Sequence, residues 1–180
     1  PISEEVQLVL TEDEEAYLKE YQEDLKAFKA VPEPERNELF EKVIKGDSLA
    51  KNRVVEIYLQ DVIAMAKEMY HPDIFLGDLI QEGNVGLILG VELVTDVGTA
   101  HQTITKQIRQ SIQMIIEEHA ELSSRDKKMV EKVAMLDESI KTLTEELGRK
   151  VTIDELAVYM GLTEDEIEDI LKLTGEESEE

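Results

Sequence analysis

The chain has 180 residues, no cysteine, 42% hydrophobic residues and a formal net charge of −23. That composition is of a folded globular protein, without disulfides or thiolate metal sites. Its acidity opposes unaided binding to DNA or to anionic membranes, because both need Lys and Arg to displace counterions. No apolar run approaches the roughly 20 residues of a bilayer span. The N-terminal residues carry no basic leader before an apolar stretch, so a cytoplasmic protein without membrane contact is expected.

Taken in chain order, every predicted element is helical. Thr11 and Glu14 form a capping box ahead of Ala16, Leu18 and Leu25, which predicts a helix from about Glu12 to Lys29. Val31-Pro32-Glu33-Pro34 interrupts it, and a short helix with Leu39, Phe40, Val43 and Ile44 follows. Gly46 is a stop and Asp47 an N-cap for a long helix from Leu49 to Tyr70, ended by His71-Pro72. A further helix holds Asp78 to Glu92, and after a loop near 96–99 another runs from about Ala100 to Glu121 with Ile104, Ile108, Ile112 and Ile115 on one face.

Ser123-Ser124 is the predicted domain boundary, separating residues 1–122 from a three-helix domain over 123–175 and an acidic tail over 176–180. The first helix of the second domain carries Met129, Val133, Leu136, Ile140, Leu143 and Leu147. Two short helices follow, Ile153 to Met160 and Glu164 to Leu173, opened by Thr152/Glu155 and Thr163/Glu166 and joined at Gly161. This is a helix-turn-helix outline. Charge differs sharply within this half: 123–150 holds six acids against seven bases, whereas 151–180 holds eleven acids against Lys172 alone.

The most distinctive segment is DLIQEGNVGLILGVE, residues 78–92. Gln81, Asn84, Val85 and Ile88 fall at i, i+3, i+4 and i+7 and share one helix face, while Leu79, Gly83, Gly86, Leu87, Gly90 and Val91 cover most of the other. A helix face that needed only solubility would carry Lys and Glu. The DLIQEGN run closely resembles the core-polymerase-binding helix of bacterial sigma-70 family transcription factors. EKVIKGDSLAKNRVVEIYLQDVIAMAKEMY resembles the segment before that helix, Gln107 to Ile112 the end of the promoter-melting helix, and Val130 to Leu173 their region 3. The resemblance thus spans regions 1.2 to 3. It implies an all-α protein: a region 2-like helical bundle followed by a small region 3-like domain. It also implies that Asp78, Gln81, Glu82, Asn84 and Ile88 contact the clamp coiled coil of the largest subunit of RNA polymerase core. Acids and amides suit Arg residues there, through charge-assisted hydrogen bonds.

Promoter chemistry is depleted relative to that family. Its melting helix carries aromatics on which unstacked bases settle, each stack worth about 1–3 kcal/mol. Here Lys106 and Gln107 stand at a Trp pair, Thr103 at a Tyr and Ala100 at a Phe. Losing two or three stacks costs roughly 2–9 kcal/mol, so promoter melting is expected to be weakened or lost, with promoter DNA met only within the holoenzyme. Candidates for remaining DNA contact are Lys106, Arg109, Arg125, Lys127, Lys128 and Lys132. The second helix of the helix-turn-helix carries Glu164, Asp165, Glu166, Glu168 and Asp169, which opposes groove insertion.

Enzyme chemistry finds no support. His71, His101 and His119 are scattered, the glycines form no phosphate loop, and no metal, cofactor or small-molecule substrate is implied. The expected function is that of a sigma-70-like initiation factor or regulator docking through residues 78–88. The alternative is a helical adaptor that reuses the same scaffold to bind another protein.

Overall fold

The computed structural model describes residues 8–174. Seven helices follow one another: α1 Glu12–Leu25, α2 Glu33–Ile44, α3 Ser48–Glu68, α4 Leu76–Glu92, α5 Val97–Leu147, α6 Ile153–Met160 and α7 Glu164–Thr174. No strand occurs among the described residues, so the all-α expectation holds. The acidic tail expected over 176–180 lies outside them.

Most helix ends follow from local chemistry. At α1 the Thr11 hydroxyl accepts from the Glu14 backbone N–H at 3.2 Å, and the Glu14 carboxylate accepts from the Thr11 N–H at 2.9 Å. At α3 the Asp47 carboxylate accepts from the Ala50 N–H at 3.0 Å. Thr163 and Glu166 form the reciprocal pair that opens α7. The chain leaves α6 at Gly161 with φ of +68°, a left-handed conformation that glycine adopts without steric cost. α1 is shorter than predicted: it ends at Leu25, and the following loop is held where Arg53 donates to the Lys29 carbonyl at 3.0 Å.

The larger difference lies at Ser123-Ser124. Two helices were expected there, but α5 passes through both serines unbroken. No Gly or Pro interrupts 99–147, and Ser in a helix costs only roughly 0.5 kcal/mol relative to Ala. A serine pair therefore lowers helix preference without supplying a stop.

Two compact units divide between His119 and Ala120. The first has a core of α3, α4 and the N-terminal part of α5, with Val54, Tyr58, Val62, Leu79, Ile80, Leu87, Ile104, Ile108 and Ile112 buried. Leu18 and Leu25 of α1 and Phe40 and Val43 of α2 join that core. The second unit packs Leu136 of α5 against Leu156 and Ala157 of α6 and Ile167 and Ile170 of α7. Among the described residues no helix is long and apolar enough to cross a membrane.

Candidate functional site

Helix α4 is buried along one side by close backbone approach. A methyl group on Gly86 would lie 2.7 Å from both the Gln107 carbonyl oxygen and the Ser111 hydroxyl, and one on Gly90 would lie 2.9 Å from the Ile104 Cα. α4 and α5 meet at this seam because no side chain intervenes, and Leu79, Leu87 and Val91 flank it in the core. The opposite side of α4 is left to solvent. Asp78 and Gln81 are exposed there, Glu82 and Asn84 are half-buried, and Val85, Ile88, Leu89 and Leu93 remain 47–55% exposed. The face predicted from spacing is thus the outward one. It combines carboxylate and amide groups at its N-terminal end with aliphatic ones at its C-terminal end.

The N-terminal end of this face is bordered by α1, a helix to which the sequence analysis gave no part in the site. The Gln81 Nε2 donates to the Tyr17 hydroxyl at 2.8 Å, and the Asn84 Nδ2 donates to the Tyr21 hydroxyl at 3.0 Å. The two tyrosine rings stack with centroids 5.9 Å apart, and Tyr17 meets Phe75 edge-on at 5.5 Å. Burial pushes the Tyr21 hydroxyl up from its ordinary 10.0 despite the Asn84 hydrogen bond, so it is neutral at physiological pH. The Asn84 Oδ1 is buried and has no hydrogen-bond partner among the described residues. The signal for this border was the i, i+4 spacing of Tyr17 and Tyr21, since a buried tyrosine hydroxyl normally finds a polar partner.

α1 also anchors the start of α4. Phe75, the N-cap of α4, offers no side-chain hydrogen bond. The missing acceptor comes from Glu14, only 2% exposed, whose Oε1 accepts from the Leu76 N–H at 2.9 Å. Its Oε2 accepts from the Thr11 N–H and, at 3.0 Å, from the Tyr70 hydroxyl. Burial alone pushes this carboxyl up, but the N–H groups of Thr11 and Leu76 and the Tyr70 hydroxyl outweigh it and hold the group below its ordinary 4.5. A carboxylate at a helix N-terminus is also favoured by the helix dipole. One ionised side chain therefore closes the N-termini of both α1 and α4.

The candidates for DNA contact are less convergent. Arg109 is paired with Glu68 of α3 at 2.9 Å. Lys106 is exposed, whereas Gln107 is half-buried and its Cβ would sit 3.2 Å from a methyl group on Gly90. The two positions of the expected Trp pair thus point different ways, one outward and one to α4. Arg125, Lys127, Lys128 and Lys132 are all exposed on the part of α5 that belongs to the second unit. Lys132 faces Glu166, whose carboxyl is held down chiefly by the Thr163 N–H and hydroxyl and to a lesser degree by this lysine. The five acids of α7 are all solvent-exposed, and Glu166 is also tied to its cap. Among the described residues no cluster of three or more His, Asp or Glu side chains is placed to hold a metal ion.

Comparison with known proteins finds relatives of one family. Residues 131–176 match the sigma-70 region 3 family. The RNA polymerase sigma factor SigA of Bacillus sp is 36% identical over 141 residues, which is 77% of this chain. The chain spans 37% of that relative's length. A cocrystal structure of the flagellar sigma/anti-sigma complex Sigma-28/FlgM shares 25% identity with a TM-score of 0.41, over 71% of this chain and 55% of that one. Together with the DLIQEGN helix and the helix order on either side of it, the sequence matches show that the chain belongs to the sigma-70 family.

Proposed function

We propose that this chain is a sigma-70-like transcription factor or regulator that docks on bacterial RNA polymerase core through the Asp78–Ile88 face of α4. The observation that carries the reading is the outward stripe of Asp78, Gln81, Val85 and Ile88 on a helix whose other side is sealed by glycine. Exposed aliphatic groups beside carboxylate and amide groups suit a helical partner with Arg side chains, such as the clamp coiled coil of the largest subunit. The acidity of the whole chain favours a basic protein surface over duplex DNA.

Promoter recognition and melting are proposed to be weakened or lost. No aromatic residue occurs on α5 between Val97 and His119 apart from the imidazoles, and Gln107 turns toward α4. This favours a regulator that occupies polymerase over a factor that opens promoters unaided. The reading of residues 1–122 and 123–175 as region 2-like and region 3-like domains belongs to the same proposal. The test is co-elution of the chain with core RNA polymerase from its own cell, beside Gln81→Ala/Asn84→Ala. Binding by the parent chain and at least tenfold weaker binding by the double variant is expected. Equal binding by both removes the site assignment, and no binding by the parent chain leaves the adaptor reading.

A further inference from the structure

The docking face is bordered by a second helix whose side chains grip both of its amides. We propose that Tyr17 and Tyr21 of α1 are positioning residues of the polymerase-docking face, orienting Gln81 as a hydrogen-bond acceptor for a partner bearing Arg or Lys and fixing Asn84 beside it. This rests on the docking reading above and adds to it the elements that shape the face.

An amide has one donor end and one acceptor end. With one N–H of the Gln81 Nε2 bound to the Tyr17 hydroxyl at 2.8 Å, the carbonyl end of this exposed side chain is turned away from α1 and open to a partner. Asn84 has its Nδ2 bound to Tyr21 at 3.0 Å, and its Oδ1 is buried without a donor. That oxygen is enclosed and out of a partner's reach, so Asn84 is held as part of the wall of the face and the exposed Gln81 carries the accepting carbonyl. Gln81 thus has one N–H committed to Tyr17 and a carbonyl oxygen turned away from it, which favours a partner that brings N–H groups.

The tyrosines are themselves held. Their rings stack on each other, Tyr17 meets the edge of Phe75, and Leu18 beside them is buried in the core. Glu14, one turn before Tyr17, fixes α1 to the first residue of α4. The hydroxyls therefore come pre-placed, and the amides lose little freedom on binding. The surroundings match a cationic partner. Asp13, Glu20 and Asp24 are exposed at i−4 and i+3 from Tyr17 and at i+3 from Tyr21, and α1 carries seven acids against Lys19.

The test removes the hydroxyls and keeps the rings. Tyr17→Phe and Tyr21→Phe in the full chain should each weaken binding to bacterial core RNA polymerase about fivefold, the value of one ordinary hydrogen bond. Their thermal midpoints should stay within a few degrees of the parent. In a Gln81→Ala background Tyr17→Phe should cost nothing more, because its effect acts through that amide. Tighter binding by either Phe variant would mean that the tyrosines mask the amides, and unchanged binding that they do not matter. A full additional loss in the Gln81→Ala background would mean a separate contact. Each of these overturns the proposal while leaving the docking face in place. If Gln81→Ala itself binds like the parent, or the parent does not bind, the docking reading falls and this inference with it.

Discussion

Removing the Glu14 carboxylate should be the most destabilising single change at the α1–α4 junction. In Glu14→Ala the buried Leu76 N–H loses its acceptor, which costs about 1–3 kcal/mol. The capping box of α1 loses one of its two arms, about 0.5–1 kcal/mol. Tyr70 is half-exposed and its hydroxyl can turn to water, so it adds little. The sum is about 1.5–4 kcal/mol, equivalent to a fall of roughly 6–16 °C in the unfolding midpoint of a unit this size. There is no Trp in the chain, and Tyr17, Tyr21, Tyr58 and Tyr70 lie in the first unit against Tyr159 in the second. Tyrosine near-ultraviolet dichroism therefore follows mainly the unit in question. Glu14→Gln keeps one carbonyl acceptor and should lose about half as much. The pH dependence has a definite sign. Because the folded carboxyl titrates below its ordinary 4.5, its stabilisation is whole above that pH and is lost as pH falls through the lowered value. The gap between the parent and Glu14→Gln should therefore narrow on acidification below 4.5. A Glu14→Ala loss under about 0.5 kcal/mol, the range of an ordinary surface change, would refute the bridging role of this side chain.

Further outcomes follow from the same geometry. Gly86→Ala places a methyl group 2.7 Å from the Gln107 carbonyl oxygen and should destabilise the first unit by about 1–3 kcal/mol in urea unfolding; a stabilised variant would mean that α4 and α5 are further apart. Glu155 is held down to about 2, first by the Arg149 guanidinium and then by the Thr152 N–H. Carboxyl titration by NMR of Arg149→Ala should show Glu155 rising toward its ordinary value, and a parent Glu155 already titrating near 4.5 contradicts the pairing. Lys106→Trp restores one exposed aromatic and should improve single-strand capture by the polymerase-bound chain by about 1–3 kcal/mol, a gain absent if that surface faces away from nucleic acid.

Much of this was legible in sequence because the deciding interactions are local. Thr11/Glu14, Asp47 and Thr163/Glu166 announce their helices within three residues, and the alternation of glycine and leucine in 79–91 announces a buried side. What stayed hidden depends on partners far away in the chain. Glu14 meets Leu76 across 62 positions, Gln81 meets Tyr17 across 64, and Asn84 meets Tyr21 across 63. No periodicity reports such pairings, so Glu14 read as a capping residue only and Tyr17 and Tyr21 carried no signal of their own. The misplaced break at Ser123-Ser124 has a different origin. Serine marks turns by competing weakly for backbone hydrogen bonds, and within a strongly periodic helix that competition loses.

The glycine seam of α4 carries a cost that shows in the helix taken by itself. Gly77, Gly83, Gly86 and Gly90 fall within its 17 residues, and each disfavours helix by about 1 kcal/mol relative to Ala. Cut from the chain, the segment would be a disordered peptide, since even good formers hold an isolated helix only beyond about 12–15 residues and the four glycines together cost about 4 kcal/mol. The outward stripe exists only while α5 braces it. A synthetic peptide of residues 76–92 should therefore be a poor competitor for any partner of α4, and useful mimicry would have to replace those glycines or cross-link the helix.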